Sequence, residues 1–306
     1  MLGVLQGFAI ILFIIGAGYL AAVSGIVKGD QRRVLSDVSF YVALPALLFD
    51  VLHRSEPEVL RSPVILVTTA AAIIVAAVFV VASRLFFKRD LATTTLGATC
   101  AGYVNSNNLG LPVAVYILGD AAYVAPLMLL QLLVFSPVAL AILESTRGSG
   151  RSAVVALGRT AINPVILASV AGFAFALAEI PVPEIVTAPI AMLGTAAIPM
   201  VLLSFGASLR GQRTLQPGTG RAAVFAASGL KLLAMPLVAW IICLFFGVGA
   251  HDTFVAVTIA ALPTAQNIYN FAVTYRRAEI MVRDTVFLTT FASLPVIALI
   301  AWLLSG

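Results

Sequence analysis

Three asparagines, a serine, a glycine and a proline fall within eight residues at 105–112, NSNNLGLP. A second polar stretch at 261–272, ALPTAQNIYNFA, carries Pro263, Thr264, Gln266, Asn267 and Asn270. Both interrupt long apolar runs. Proline lacks an N–H, and Asn and Ser side chains compete for backbone groups, so each stretch is expected to break the helix that contains it. Irregular backbone at membrane depth is tolerated only where protein buries it or a watery cavity meets it. Two such breaks can oppose half-helix N-termini, which carry partial positive charge, while unwound carbonyls hold a cation. The expected site therefore has Asn105, Asn107 and Asn108 offering amides to a transported solute or an ion. Gly110 would permit close backbone approach, Pro112 and Pro263 would fix the breaks, and Thr264, Gln266 and Asn267 would complete the site. The competing reading is that these amides only join helices in a packed bundle.

Ionisable residues inside apolar runs are the next candidates. Lys231 stands beyond Arg221 by about ten residues, or roughly 15 Å along a helix, near mid-membrane. Its ammonium either takes the place of a coupling cation, titrates in its stead, or reaches carbonyls exposed at a helix break. Asp50 is a second coupling candidate, with a solvated place beside His53 and Arg54 as the alternative. Glu144 and Asp37 read as interfacial, and His53 and His251 have no partner at ligand spacing. Cys100 and Cys243 are far apart and carry neither a disulfide framework nor metal spacing, so no metal and no cofactor are expected.

The elements that must position these residues follow from composition. Of 306 residues, 61% are hydrophobic and 10% charged, against about 45–50% and about 25% in soluble domains. Ten spans of about 20 residues use about 200 and leave no room for a sizeable soluble domain. The solid apolar run at 71–82, AAIIVAAVFVVA, excludes the alternating pattern of a β-barrel strand. Apolar runs place spans near 3–23, 35–52, 63–83, 92–118, 121–143, 153–178, 186–208, 222–246, 252–275 and 283–304. The first is read as a retained helix rather than a signal peptide, since no basic residue precedes it.

Lys and Arg mark cytoplasmic loops. Loops after spans 1, 3, 5, 7 and 9 hold 15 of the 18 basic residues, so both termini are expected outside. The net charge of +5 is then a topology signal, and no nucleic-acid partner is expected. Prolines suggest repetition: Pro45 matches Pro199, Pro112 matches Pro263 and Pro137 matches Pro295. Five spans per half, an odd number, force the second half to insert the other way round. The expected fold is an all-α integral membrane protein of ten transmembrane helices in two inverted five-helix repeats, 1–145 and 152–306, with helices 4 and 9 broken and crossing.

The Gly-Leu-Pro after an Asn-rich break in helix 4, ending in YILGD, and the Leu-Pro-Thr break in helix 9 followed by NFAVTY resemble the auxin efflux carrier family, including its bacterial members. The resemblance implies a secondary transporter of small organic anions in the cytoplasmic membrane, working as an elevator. Helices 1, 2, 6 and 7 (about 1–53 and 153–210) would form a scaffold, with a homodimer through it. Helices 3–5 and 8–10 (about 63–143 and 222–304) would form a moving transport domain. The loop between the halves here is about nine residues, so regulation by loop phosphorylation does not carry over. Gln266 and Asn267 also resemble the related bile acid:sodium symporters, which place an acid in helix 9. Between 252 and 278 this chain has none beyond Asp252, so proton or membrane-potential drive ranks above sodium coupling.

An intramembrane enzyme would need a serine and histidine, paired aspartates or a His-rich helix at depth, and none is present. A channel, prompted by Asn163 and Pro164, or a membrane receptor is the remaining alternative.

Overall fold

The computed structural model describes residues 2–54, 62–146, 163–211 and 220–304. Among these residues the elements are helical: α1 (Leu2–Val23), α2 (Gly29–Arg54), α3 (Pro63–Phe87), α4 (Leu91–Gly102), α5 (106–118), α6 (Ala121–Ser145), α7 (Pro164–Leu177), α8 (Glu184–Ser208), α9 (Arg221–Phe246), α10 (Ala250–Ala260), α11 (Asn267–Tyr275) and α12 (Glu279–Leu304). Six of them, α2, α3, α6, α8, α9 and α12, are long and apolar enough to cross a membrane, and α1 and α7 carry shorter apolar runs. Their outer faces leave Phe13, Phe86, Ile185, Met192, Phe245 and Trp302 exposed, a surface suited to hydrocarbon rather than water.

Two expected spans are each divided in two: 92–118 becomes α4 and α5, and 252–275 becomes α10 and α11. The second span also starts earlier than its apolar run, at Gly29. The Lys28 N–H donates to the Gln31 side chain (2.9 Å), and the exposed Arg33 and Asp37 pair at 3.9 Å, so polar first turns extend the helix. Hydrophobic runs alone do not register such turns. The first part of the expected sixth span, 153–162, and Arg61, Arg147, Arg151, Arg159 and Arg213 lie outside the described residues.

Proline shapes four of the helices in one way. Wide, π-type turns at Ser39–Ala43, Ser106–Gly110, Gln131–Phe135 and Leu230–Ala234 each precede a proline by one intervening residue: Pro45, Pro112, Pro137 and Pro236. A proline ring clashes with the carbonyl four residues back and offers it no N–H, and a wider turn relieves both. Pro295 sits inside α12 without such a turn, and Pro199 follows an interruption of α8 at Ala196.

The helices pack in two groups. α1 lies along the second half of α8, while the Leu44–Arg54 part of α2 packs on α7 and on the first half of α8. In the other group α3 packs on α4, α9 and α10, and α12 packs on α9, α10 and α11. α5 touches both groups, meeting α1 and α8. α1 and α8 cross at Gly18 and Gly206, where an added Cβ would overlap the backbone of Leu203 and Ile15 respectively. Gly206→Leu is therefore expected to part the two helices and lower Tm in detergent by about 5 °C or more. Gly16→Leu, where nothing lies within 4 Å of an added Cβ, is expected to leave Tm unchanged in the same assay.

At the start of α4 the Asp90 carboxylate accepts the Thr93 N–H (2.6 Å). Burial pushes its pKa up, but the Thr93 bonds and the nearby guanidinium groups of Arg277 and Arg89 outweigh that and hold it below the ordinary value. This cap is present above the unfolded carboxyl pKa and is lost as pH falls through the lowered folded one.

Candidate functional site

The two interruptions meet. α4 closes with Tyr103 N–H donating to Thr99 O (2.9 Å), and Tyr103 then turns extended, with φ −91° and ψ 114°. α10 ends as Leu262 N–H donates to Ile259 O (3.1 Å), and Pro263 keeps the helix from continuing. Asn105 N–H donates to Pro263 O (2.7 Å) and Ala265 N–H to Tyr103 O (3.2 Å), so the segments pair as a minimal antiparallel bridge centred on Val104 and Thr264. Extended backbone frees peptide groups that helices would have satisfied, and pairing the breaks against each other restores several bonds.

Side chains satisfy the rest. Thr264 hydroxyl donates to Cys100 O (2.7 Å), one of the last carbonyls of α4, and Thr264 N–H donates to Thr289 Oγ1 (3.1 Å) on α12. On the other side, the Gln131 amide of α6 stands 3.0 Å from Val104 N, 3.1 Å from Val104 O and 2.9 Å from Ser106 Oγ, and it satisfies all three when its oxygen faces the Val104 N–H and its nitrogen the carbonyl and hydroxyl. Asn105 Oδ1 accepts Asn108 N–H (3.0 Å) and so caps α5.

The remaining amides form a line across the junction. Asn108 Nδ2 donates to Gln266 Oε1 (2.7 Å), and Gln266 Nε2 donates to Ser208 Oγ (3.3 Å) at the end of α8. Asn267 Nδ2 approaches the Tyr103 hydroxyl (3.5 Å), which is itself 2.9 Å from Ser136 Oγ. Asn105 Nδ2 and Asn107 Oδ1 are buried without a hydrogen-bond partner among the described residues. A buried donor or acceptor left unmade costs about 1–3 kcal/mol, so this junction carries bonding capacity that the described residues do not use.

Asn105, Asn107, Asn108, Gln266 and Asn267 line one cavity of ≈ 1090 Å³. Its walls run on to Arg32, Arg33, Arg210 and Arg283, at the start of α2, just past the end of α8 and in the first turns of α12. The cavity thus joins uncharged amides to a charged stretch that holds these four arginines and the carboxylates Asp30 and Asp37. Arg283 holds the fully buried Asp284 carboxylate through Nε (3.1 Å) and Nη2 (3.0 Å).

The other expected site residues lie elsewhere. Gly110, Pro112, Pro263 and Thr264 are buried in the junction and do not line the cavity. An added Cβ on Gly110 would stand 3.1 Å from Asn105 O and 3.2 Å from Leu262 and Val124 side chains, so the close approach it permits is protein against protein. Lys231 is fully buried in the wide turn before Pro236, with Nζ 2.9 Å from both Ala260 O and Met235 Sδ. It meets the carbonyl end of α10, where the helix dipole favours a cation. Asp50 is paired with Arg54 at 2.9 Å and lies away from the cavity. Tyr103, Ser106, Gln131, Ser208 and Arg283 were not singled out by sequence reasoning; the lone Gln131 in LMLLQLLVF was the available signal.

A profile of the family described as "Membrane transport protein" matches residues 4–152 and again residues 150–301. Over 297 residues the chain is 29% identical to the protein named "Putative malonate transporter" of Rhizobium meliloti, covering 94% of this chain and 91% of that one. An uncharacterized transporter of Methanocaldococcus jannaschii is 22% identical over 312 residues, covering 96% and 97% of the two chains. An uncharacterized transporter of Methanothermobacter thermautotrophicus is 26% identical over 288 residues, with 93% of each covered. With both halves matched and six apolar helices of spanning length among the described residues, the chain is a multi-pass membrane protein of the auxin efflux carrier-like membrane transport family.

Proposed function

We propose that the protein is a secondary carrier of small carboxylates whose substrate sits where the two interrupted helices cross. The observation that carries this reading is the pairing of the breaks beside a cavity lined by Asn105, Asn107 and Asn108, where the buried Asn105 Nδ2 has no partner among the described residues, with four arginines lining the same cavity. An amide N–H and the start of α5 suit a carboxylate, and four arginines against Asp30 and Asp37 in the cavity lining raise the local concentration of anions. The name of the Rhizobium meliloti relative makes malonate the first probe.

The same reading arranges ten spans as two oppositely inserted halves, in the cytoplasmic membrane with both termini outside. α1, α2, α7 and α8 act as a scaffold, with a homodimer through it. α3 to α6 and α9 to α12 move as the transport domain, in keeping with the two packing groups. An elevator needs a sliding boundary between groups, and the Gln266–Ser208 bond lies across it. Lys231, whose ammonium rests on the carbonyl end of α10, stands in the place of a coupling metal ion. Drive then falls to protons or membrane potential. Asp50, ion-paired beyond the cavity-lining part of α2, is given no part in coupling.

Uptake of radiolabelled malonate into proteoliposomes under an imposed pH gradient, a membrane potential or a sodium gradient tests this. Saturable uptake raised by the pH gradient or the potential and indifferent to sodium is expected. Sodium-dependent uptake would replace the drive with a symporter mechanism, and absence of flux for malonate and other small carboxylates would overturn the carrier reading.

A further inference from the structure

The backbone of the Val104–Thr264 bridge is held from outside on both faces. In an antiparallel pair of this kind the flanking residues exchange the inter-strand bonds, so the central residues turn their own N–H and C=O groups away from each other. Here Asn105 N–H to Pro263 O and Ala265 N–H to Tyr103 O are the flanking bonds. The peptide groups turned outward are met by one side chain each: Val104 by Gln131 of α6, and Thr264 by Thr289 of α12. Gln131 and Thr289 stand at equivalent places, each six residues before the proline of its helix, Pro137 and Pro295. α6 and α12 are the last helices of the two halves, so the junction is clamped by the same position used twice.

The two clamps differ in strength. Thr289 makes one bond to the bridge, accepting Thr264 N–H while its hydroxyl donates to Thr285 O (2.8 Å) of its own helix, whereas the Gln131 amide makes a matched pair to Val104 and a third bond to Ser106. Ser106 opens α5 and adjoins Asn105 and Asn107, which line the cavity and each hold one buried atom without a partner among the described residues. Gln131 is buried, and its amide orientation is dictated, because the reverse would set oxygen against the Val104 carbonyl and nitrogen against the Val104 N–H.

We propose that Gln131 is a positioning residue: its amide acts as a third strand on Val104, fixing the register of the helix crossing and the direction of the Asn105–Asn108 amides, with Thr289 as its weaker counterpart. This rests on the carrier reading of the cavity. Loss of the clamp lets the extended segment re-bond with water, and the amides then present the wrong atoms to a carboxylate. The effect falls on affinity, since substrate binding must first restore the register.

Gln131→Glu supplies the test because it is its own control. A protonated carboxyl reproduces the pattern, accepting from Val104 N–H and donating to Val104 O. A carboxylate puts an acceptor against the Val104 carbonyl. The charged groups lining the same cavity, Asp30, Asp37, Arg32, Arg33, Arg210 and Arg283, are common to both proteins and cancel in a ratio. Malonate uptake by Gln131→Glu and by wild type is measured at pH 5 and pH 7.5, and the ratio is taken at each pH. At pH 7.5 the variant's KM is expected to rise about ten-fold or more with maximal rate changed less. At pH 5 the ratio is expected to return to within about two-fold of unity. Gln131→Leu, which cannot bond at any pH, should stay impaired at both, and Thr289→Val should raise KM by a smaller factor. A ratio for Gln131→Glu that does not change with pH, or a Gln131→Leu variant with the wild-type KM, would overturn the proposal. Failure of wild type to take up any carboxylate would instead strike the carrier reading, and recovery of Tm at pH 5 by Gln131→Glu in detergent still reads the clamp.

Discussion

Asn105→Asp is expected to hold Tm at or above the wild-type value while weakening malonate binding by about 100-fold or more. The two effects part because the two ends of the Asn105 side chain do different work. Its oxygen caps α5 by accepting Asn108 N–H, and Asp caps a helix as well as Asn does, with a charge that suits the positive end. Its nitrogen is the buried donor without a partner among the described residues. Aspartate turns that donor into a charged acceptor facing an anion. Asn105→Ala removes the cap, at about 1 kcal/mol, and the donor but adds no repulsion. It should therefore lower Tm and weaken binding less than Asp does. Scanning calorimetry in detergent and equilibrium binding of labelled malonate read both quantities. A ranking in which stability and affinity fall together across the two variants would make Asn105 a structural residue only.

Lys231→Gln is expected to cut malonate uptake by about 30-fold, the equivalent of ~2 kcal/mol for a lost charge-assisted bond. The ammonium donates to Ala260 O at the end of α10, and a glutamine is shorter and neutral. If the Lys231 ammonium titrates in the stead of a coupling cation, the residual uptake loses its response to an imposed pH gradient. Uptake with the wild-type rate and pH response would reduce Lys231 to a helix cap. Its setting favours more than that. The wide turn at Leu230–Ala234, forced by Pro236, swings Lys231 toward a neighbouring helix end, and the cation is held where the chain has just broken.

The positions of both breaks were legible because Asn, Ser, Gly and Pro concentrate there against an apolar background, and breaks are local events. What each residue does there was only half legible. Asn105, Asn107, Asn108, Gln266 and Asn267 reach the cavity, whereas Thr264 has its hydroxyl on Cys100 and Gly110 makes room for Leu262 and Val124. That division depends on which way an extended segment faces, and facing is set by pairing between residues some 160 apart, Val104 and Thr264, which no local pattern encodes. Gln131 went unnoticed for the same reason: a single amide in an apolar run acquires its meaning from the peptide group it meets. The early start of α2 was hidden because Gly29–Val38 is polar on average and makes no continuous apolar run. Proline was an informative residue type, since Pro45, Pro112, Pro137 and Pro236 each follow a wide turn, although Pro295 does not and the wide turns at Ser83–Phe87 and Ala114–Leu118 precede no proline.

The central claim is that both breaks form one substrate site, and hydrogen exchange tests it most directly. Amide exchange over residues 103–110 and 261–270 would be followed in liposome-reconstituted protein at rising malonate concentration, with uptake measured on the same preparation. The account predicts that both stretches slow together, with one midpoint concentration that matches the KM for uptake. Uptake of malonate with exchange unchanged in either stretch would contradict it.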